Sequence, residues 1–111
     1  MTTLSTHVLD IERGSPAAGV PVELYRGAQL VARGQRTNAD GRVPDLAGGS
    51  VEPGTYRLVF DVAAYFAARA GAAPSTFLQR VSVDFDVSAT DPHYHVPLLL
   101  SAYACTVYRG S

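Results

Sequence analysis

Short stretches of alternating apolar and polar residues recur along this chain, each cut off by glycine, proline, asparagine or aspartate. Their spacing is roughly 8–12 residues, the rhythm of an antiparallel β-sandwich, with an eight-stranded barrel as the structural alternative. The alternation is cleanest in residues 20–26, where Val20, Val22 and Leu24 share a face, and in residues 78–87, where Val81, Val83, Phe85 and Val87 do. In residues 55–61 it points Tyr56, Leu58 and Phe60 inward. Residues 4–10, 29–37, 42–46, 93–100 and 103–108 bring the count to about eight strands. Pro21 has no ladder donor, so it marks an edge position or the start of its strand. In the turn Asn38-Ala39-Asp40-Gly41-Arg42, Gly41 supplies positive φ. The only helical stretch is the alanine-rich run 62–70, stopped by Gly71 and followed by a loop over 72–76.

A chain of 111 residues is about one domain's worth, so residues 1–111 are expected to form a single domain. The net charge of −1 gives no electrostatic basis for holding nucleic acid or an anionic membrane. All nine basic residues are arginine, which excludes a Schiff-base lysine and a P-loop lysine. A lone cysteine, Cys105, cannot close an intrachain disulfide. The N-terminus has no basic-then-apolar leader, and no run approaches the ~18 apolar residues of a membrane span. A soluble, cytoplasmic protein is the expectation.

Candidate chemistry gathers on residues 93–100, His-Tyr-His-Val-Pro-Leu-Leu-Leu, the most apolar run in the chain. Strand geometry turns His93 and His95 to one face and Tyr94 to the other. With His7 they make three histidines. Two readings stand open: a zinc site, for which H-x-H on a strand has the right facing, or metal-free acid–base chemistry by groups that titrate at about pH 6.5. Arg42 beside the histidines would favour the second, because a fixed guanidinium repels a divalent cation, and it suits an anionic, carbonyl-rich substrate. Cys105 reads as a small packed strand residue, and Asp40 and Asp45 as turn and surface carboxylates. The tail 108–111, taken alone, reads as a short exposed end.

Four segments together carry a resemblance. They are Leu4-Ser5-Thr6-His7-Val8-Leu9-Asp10 with Gly14-Ser15-Pro16-Ala17, Thr37-Asn38-Ala39-Asp40-Gly41-Arg42, His93-Tyr94-His95-Val96-Pro97-Leu98-Leu99-Leu100-Ser101, and the terminal Tyr108-Arg109-Gly110-Ser111. In order and over the whole chain, they resemble the 5-hydroxyisourate hydrolase family of transthyretin-related enzymes. The resemblance implies a transthyretin-like β-sandwich of two four-stranded antiparallel sheets with one short helix. It implies hydrolysis of 5-hydroxyisourate to 2-oxo-4-hydroxy-4-carboxy-5-ureidoimidazoline in urate breakdown, with no metal and no cofactor. It implies a homotetramer, a dimer of dimers with sites where the dimers meet. His7, Arg42, His95 and Ser111 fall on the family's catalytic positions and Tyr108 on a substrate-contacting one, while His93 is not among the principal catalytic positions. Ala102 and the run 104–107 depart from the usual pattern and leave that set intact. Transthyretin proper, a hormone carrier, lacks the Tyr-Arg-Gly-Ser ending; a non-catalytic channel that binds a small ligand is the alternative.

Overall fold

The computed structural model describes residues 1–69 and 77–111. Two sheets face each other. The first holds β1 (Thr3–Asp10), β2 (Ser15–Pro16), β5 (Arg42–Val43), β8 (His93–Leu100) and β9 (Cys105–Val107), in the order β2-β1-β8-β9 with β5 also beside β1. The second holds β3 (Pro21–Arg26), β4 (Gln29–Arg36), β6 (Gly54–Asp61) and β7 (Arg80–Val87), in the order β4-β3-β6-β7. This is the sandwich, not the barrel. Alternation assigns the faces: Leu4, Val8, Leu58, Phe60, Leu98 and Leu100 are fully buried between the sheets. Each such side chain contributes about 1.5–3 kcal/mol by leaving water. Pro21 begins β3, an interior strand, where its missing donor costs no ladder bond inside the strand.

Three strands are shorter by two or more residues than their sequence patterns suggest. β5 ends at Val43 because Pro44 has no N–H to continue the ladder. β7 starts at Arg80 rather than at Leu78. β9 starts at Cys105 because residues 101–104 close a turn, in which the Ser101 N–H donates to the Ala104 carbonyl at 2.9 Å. The helix α1 spans Val62–Ala68, and the Asp61 carboxylate caps it by accepting from the Ala64 N–H at 3.0 Å. The expected Gly71 stop and the 72–76 loop lie outside the described residues.

One pairing departs from an all-antiparallel ladder. β1 and β8 run parallel, with Thr3 beside His93, Ser5 beside His95 and His7 beside Pro97. The chain between them builds the entire second sheet, so no hairpin dictates their sense. The register stands equivalent outer-face side chains of the two strands shoulder to shoulder.

A buried ionic cluster ties α1 to β1. The Asp10 carboxylate, fully buried, accepts from the Tyr65 hydroxyl at 2.6 Å, from Arg69 at 2.9 Å and from the Glu12 and Arg13 N–H groups at 3.0 and 3.2 Å. Burial pushes this carboxyl up, but the hydrogen bonds from Tyr65, Arg69 and Arg13 outweigh it and hold it below the ordinary 3.8. Burial, then the bond to Asp10, pushes the Tyr65 phenol up to about 12.

Gly41 fixes the approach of β5 to β1. Its φ is +74°, its carbonyl accepts from the Val8 N–H at 2.7 Å, and a Cβ there would sit 2.4 Å from the Val8 carbonyl oxygen. Left-handed strain of about 1–2 kcal/mol adds to a backbone clash that no rotamer relieves. Gly41→Ala is therefore expected to cost roughly 2–4 kcal/mol in urea unfolding; a change under 0.5 kcal/mol would show that this turn moves freely.

Candidate active site

The outer face of the parallel pair carries Thr3, Ser5 and His7 from β1 and His93, His95 and Pro97 from β8. Four of these side chains form one hydrogen-bonded line. The Thr3 hydroxyl meets His93 Nδ1 at 2.7 Å, His93 Nε2 meets the Ser5 hydroxyl at 2.8 Å, and the same Ser5 oxygen meets His95 Nδ1 at 2.7 Å. The donor at each contact depends on the imidazole tautomer. With Nδ1 held by Ser5, the His95 ring leaves Nε2 without a hydrogen-bond partner among the described residues.

The His7 ring faces that of His95, with centroids 6.5 Å apart and planes inclined by 26°. That separation exceeds a direct hydrogen bond and suits one bridging water or substrate heteroatom. Arg42 of β5 pairs with His7 across the sheet, which puts its guanidinium on the same face. It is exposed and makes no ion pair or side-chain hydrogen bond among the described residues. Burial holds the His95 imidazole below the ordinary 6.5, and the Arg42 charge, His7 and His93 push it further down. His95 therefore stays neutral, with a free lone pair or a free N–H at Nε2, where an unperturbed histidine begins to charge.

The C-terminal tail is docked rather than frayed. The Gly110 N–H donates to the His95 carbonyl at 2.8 Å, and the Arg109 guanidinium lies 4.3 Å from the centre of the Tyr94 ring. A Cβ on residue 110 would fall 2.6 Å from His95 Cδ2 and 3.0 Å from Pro97 Cγ. Glycine thus lets the backbone lie flat against the imidazole, and Ser111, which follows it, is exposed. Tyr108 lies elsewhere within the chain, in a groove with Val83, Phe85, Tyr94 and Val96 that none of His7, Arg42 and His95 lines.

The residues anticipated from sequence thus divide. His7, Arg42 and His95 share one face, the tail reaches it through Gly110, and Tyr108 does not. Among the described residues, no three His, Cys, Asp or Glu side chains converge as a metal-ligand set. His93 instead faces hydroxyls through both ring nitrogens. Cys105 is exposed on the three-residue β9, not packed as its strand pattern suggested. Sequence reasoning passed over Thr3 and Ser5, although their parity with His7 on the first strand already placed them on its face.

A family model described as the HIUase/Transthyretin family matches residues 4–110. A Pseudomonas aeruginosa protein named 5-hydroxyisourate hydrolase is 45% identical over 117 residues, covering 100% of this chain and 93% of its own length. The structure of Klebsiella pneumoniae 5-hydroxyisourate hydrolase matches with a TM-score of 0.88 at 39% identity over 100% of both chains. Sea bream transthyretin, solved in complex with thyroxine, matches with a TM-score of 0.85 at 27% identity, over 97% of this chain and 94% of its own.

Proposed function

The chain belongs to the HIUase/transthyretin family, and from that we propose that it hydrolyses 5-hydroxyisourate to 2-oxo-4-hydroxy-4-carboxy-5-ureidoimidazoline, a cyclic-amide hydrolysis by histidine acid–base chemistry. The observation that carries the proposal is His95, its imidazole held below its ordinary value and its Nε2 free among the described residues, with its ring facing that of His7 and beside Arg42, an arginine unpaired among the same residues. In the reaction, water adds to the ring carbonyl, and His95 Nε2 takes its proton as the carbon–oxygen bond forms. Arg42 binds the oxygen-rich ring and stabilises the oxyanion. Collapse breaks the carbon–nitrogen bond, and His7 gives the leaving nitrogen its proton. Ser111 and Tyr108 position water or substrate from the chain end, with Tyr108 acting across a subunit boundary. The assembly proposed is a homotetramer, a dimer of dimers, which the apolar groove at Val83, Phe85, Tyr94 and Val96 supports.

The test is the absorbance decay of freshly generated 5-hydroxyisourate with and without the protein. Acceleration above the spontaneous rate supports the proposal. Tight binding of iodinated or phenolic ligands with no acceleration would replace it with a carrier role, the reading that the likeness to sea bream transthyretin favours. The tail has its own expected result. Removing residues 109–111 should lower turnover by about 10²-fold, the order that small misplacements cost, while the far-ultraviolet spectrum stays unchanged. Full turnover after truncation would make the tail a passive end.

A further inference from the structure

A hydroxyl has one proton to give, and Ser5 has two imidazoles beside it. Its oxygen lies 2.8 Å from His93 Nε2 and 2.7 Å from His95 Nδ1, and the side chain is buried with no other hydrogen-bond partner among the described residues. If the hydroxyl donates to His93, His95 donates to it from Nδ1, and His95 Nε2 is then a bare lone pair. If the hydroxyl donates to His95, Nδ1 there is an acceptor, and a neutral His95 carries its proton on Nε2 instead. A third arrangement, with both rings donating to Ser5, leaves a buried hydroxyl proton without an acceptor, which is costly. The single Ser5 proton therefore ties the tautomer of one ring to that of the other. His93 obeys the same rule at its far end, where Nδ1 meets the Thr3 hydroxyl at 2.7 Å.

The hydrolysis proposed above, on which this inference rests, needs the lone pair at His95 Nε2. Free neutral histidine favours the opposite form, with its proton on Nε2, so the bond made at Nδ1 has to decide the matter. We propose that Ser5 and His93 are positioning residues that set the tautomer of His95: His93 accepts the Ser5 proton at Nε2, which leaves Ser5 Oγ to accept from His95 Nδ1–H. Thr3 completes the line by accepting from His93 Nδ1–H. The same line suits the protonated base. When His95 Nε2 takes a proton from water, Nδ1–H still donates to Ser5, and no other proton on the line moves. Ser5 and His93 act through His95 rather than on substrate.

Ring-nitrogen NMR shifts, measured without substrate at a pH where the imidazoles are neutral, read the tautomers directly. Nδ1–H on both rings is the expected result. Nε2–H on His95, or opposite tautomers with both rings donating to Ser5, would overturn the assignment. Ser5→Ala and His93→Phe give a second reading. Alanine removes the acceptor at His95 Nδ1. Phenylalanine, at an exposed position, keeps a ring but offers no acceptor, which frees the Ser5 proton for His95. In both variants the His95 signal should move toward Nε2–H. Turnover of 5-hydroxyisourate should fall roughly 5-fold or more in kcat with KM little changed, because only the remaining fraction of the working tautomer reacts. An unmoved His95 tautomer or an undiminished kcat in folded His93→Phe would overturn the proposal. A wild-type protein without hydrolase activity would refute the function proposed above, and the tautomers would still judge the role of Ser5 and His93.

Discussion

His95→Ala is expected to lower kcat for 5-hydroxyisourate by about 10²–10⁴, the usual contribution of a positioned acid–base group. The fold should survive. His95 lies on the outer face of β8, and the bond that holds the tail to it is made by its backbone carbonyl, which alanine retains. The Ser5 hydroxyl keeps His93 as a partner, so no buried polar group is orphaned. The loss should therefore appear in kcat and kcat/KM together, as for an interaction made in the transition state. His7→Ala should fall in the same range, because the two rings share the 6.5 Å gap. The double variant should lose less than the product of the single losses, since residues that act as a unit are not additive. Near wild-type turnover by a folded His95→Ala protein would remove His95 from the chemistry.

The largest expected effect on stability comes from Asp10→Asn. Its carboxylate is buried and accepts bonds from Tyr65, Arg69 and two backbone N–H groups. The amide removes the charge that Arg69 faces, a side chain itself only 10% exposed. Breaking a buried pair from one side costs about 3–5 kcal/mol, because the remaining charge loses its compensation. Glu12 also binds Arg69, at 3.0 Å, which places the expected loss at the lower end of that range. The sign with pH follows from the direction of the shift. The folded carboxyl lies below its ordinary value, so its stabilisation is complete above about pH 4 and is lost as pH falls through the folded value. The Tyr65 contribution runs the other way: complete below about pH 10, lost as pH rises through about 12. Urea unfolding should show the wild type weakening in acid, with the Asp10→Asn protein lacking this contribution. Equal midpoints for the two proteins at neutral pH would show that the cluster is not a source of stability.

Much of this arrangement was legible in the sequence because strand parity is a local property. Alternation alone puts His7 on the face opposite Leu4 and Val8, and His95 on the face opposite Tyr94 and Val96, as the structure shows. Asn38 to Arg42 announces its turn through its own side chains: the Asn38 carboxamide oxygen accepts from the Asp40 and Arg42 N–H groups. What escaped was long-range. Nothing in the alternation of β1 or β8 states that they run parallel, yet that sense sets Ser5 between His93 and His95. The tail docks by a backbone bond from Gly110, which leaves little trace in side-chain pattern beyond the glycine itself. Asp10 has the parity of a core position, and the partners that make its burial tolerable, Tyr65 and Arg69, come from a distant helix and its cap. His93 and His95 look equivalent by spacing. Their neighbours separate them: one ring meets a hydroxyl at each nitrogen, and the other keeps a nitrogen free among the described residues.

The most direct test of imidazole base catalysis here is kcat/KM for 5-hydroxyisourate measured against pH. Its acid limb reports the free protein's base. Because burial, then Arg42 and the two neighbouring imidazoles, keeps His95 neutral, the limb is expected below pH 6.5 and should be absent from the residual activity of His95→Ala. A limb at or above 6.5, or a rate that climbs as pH falls through the histidine range, would contradict a neutral His95 acting as the base.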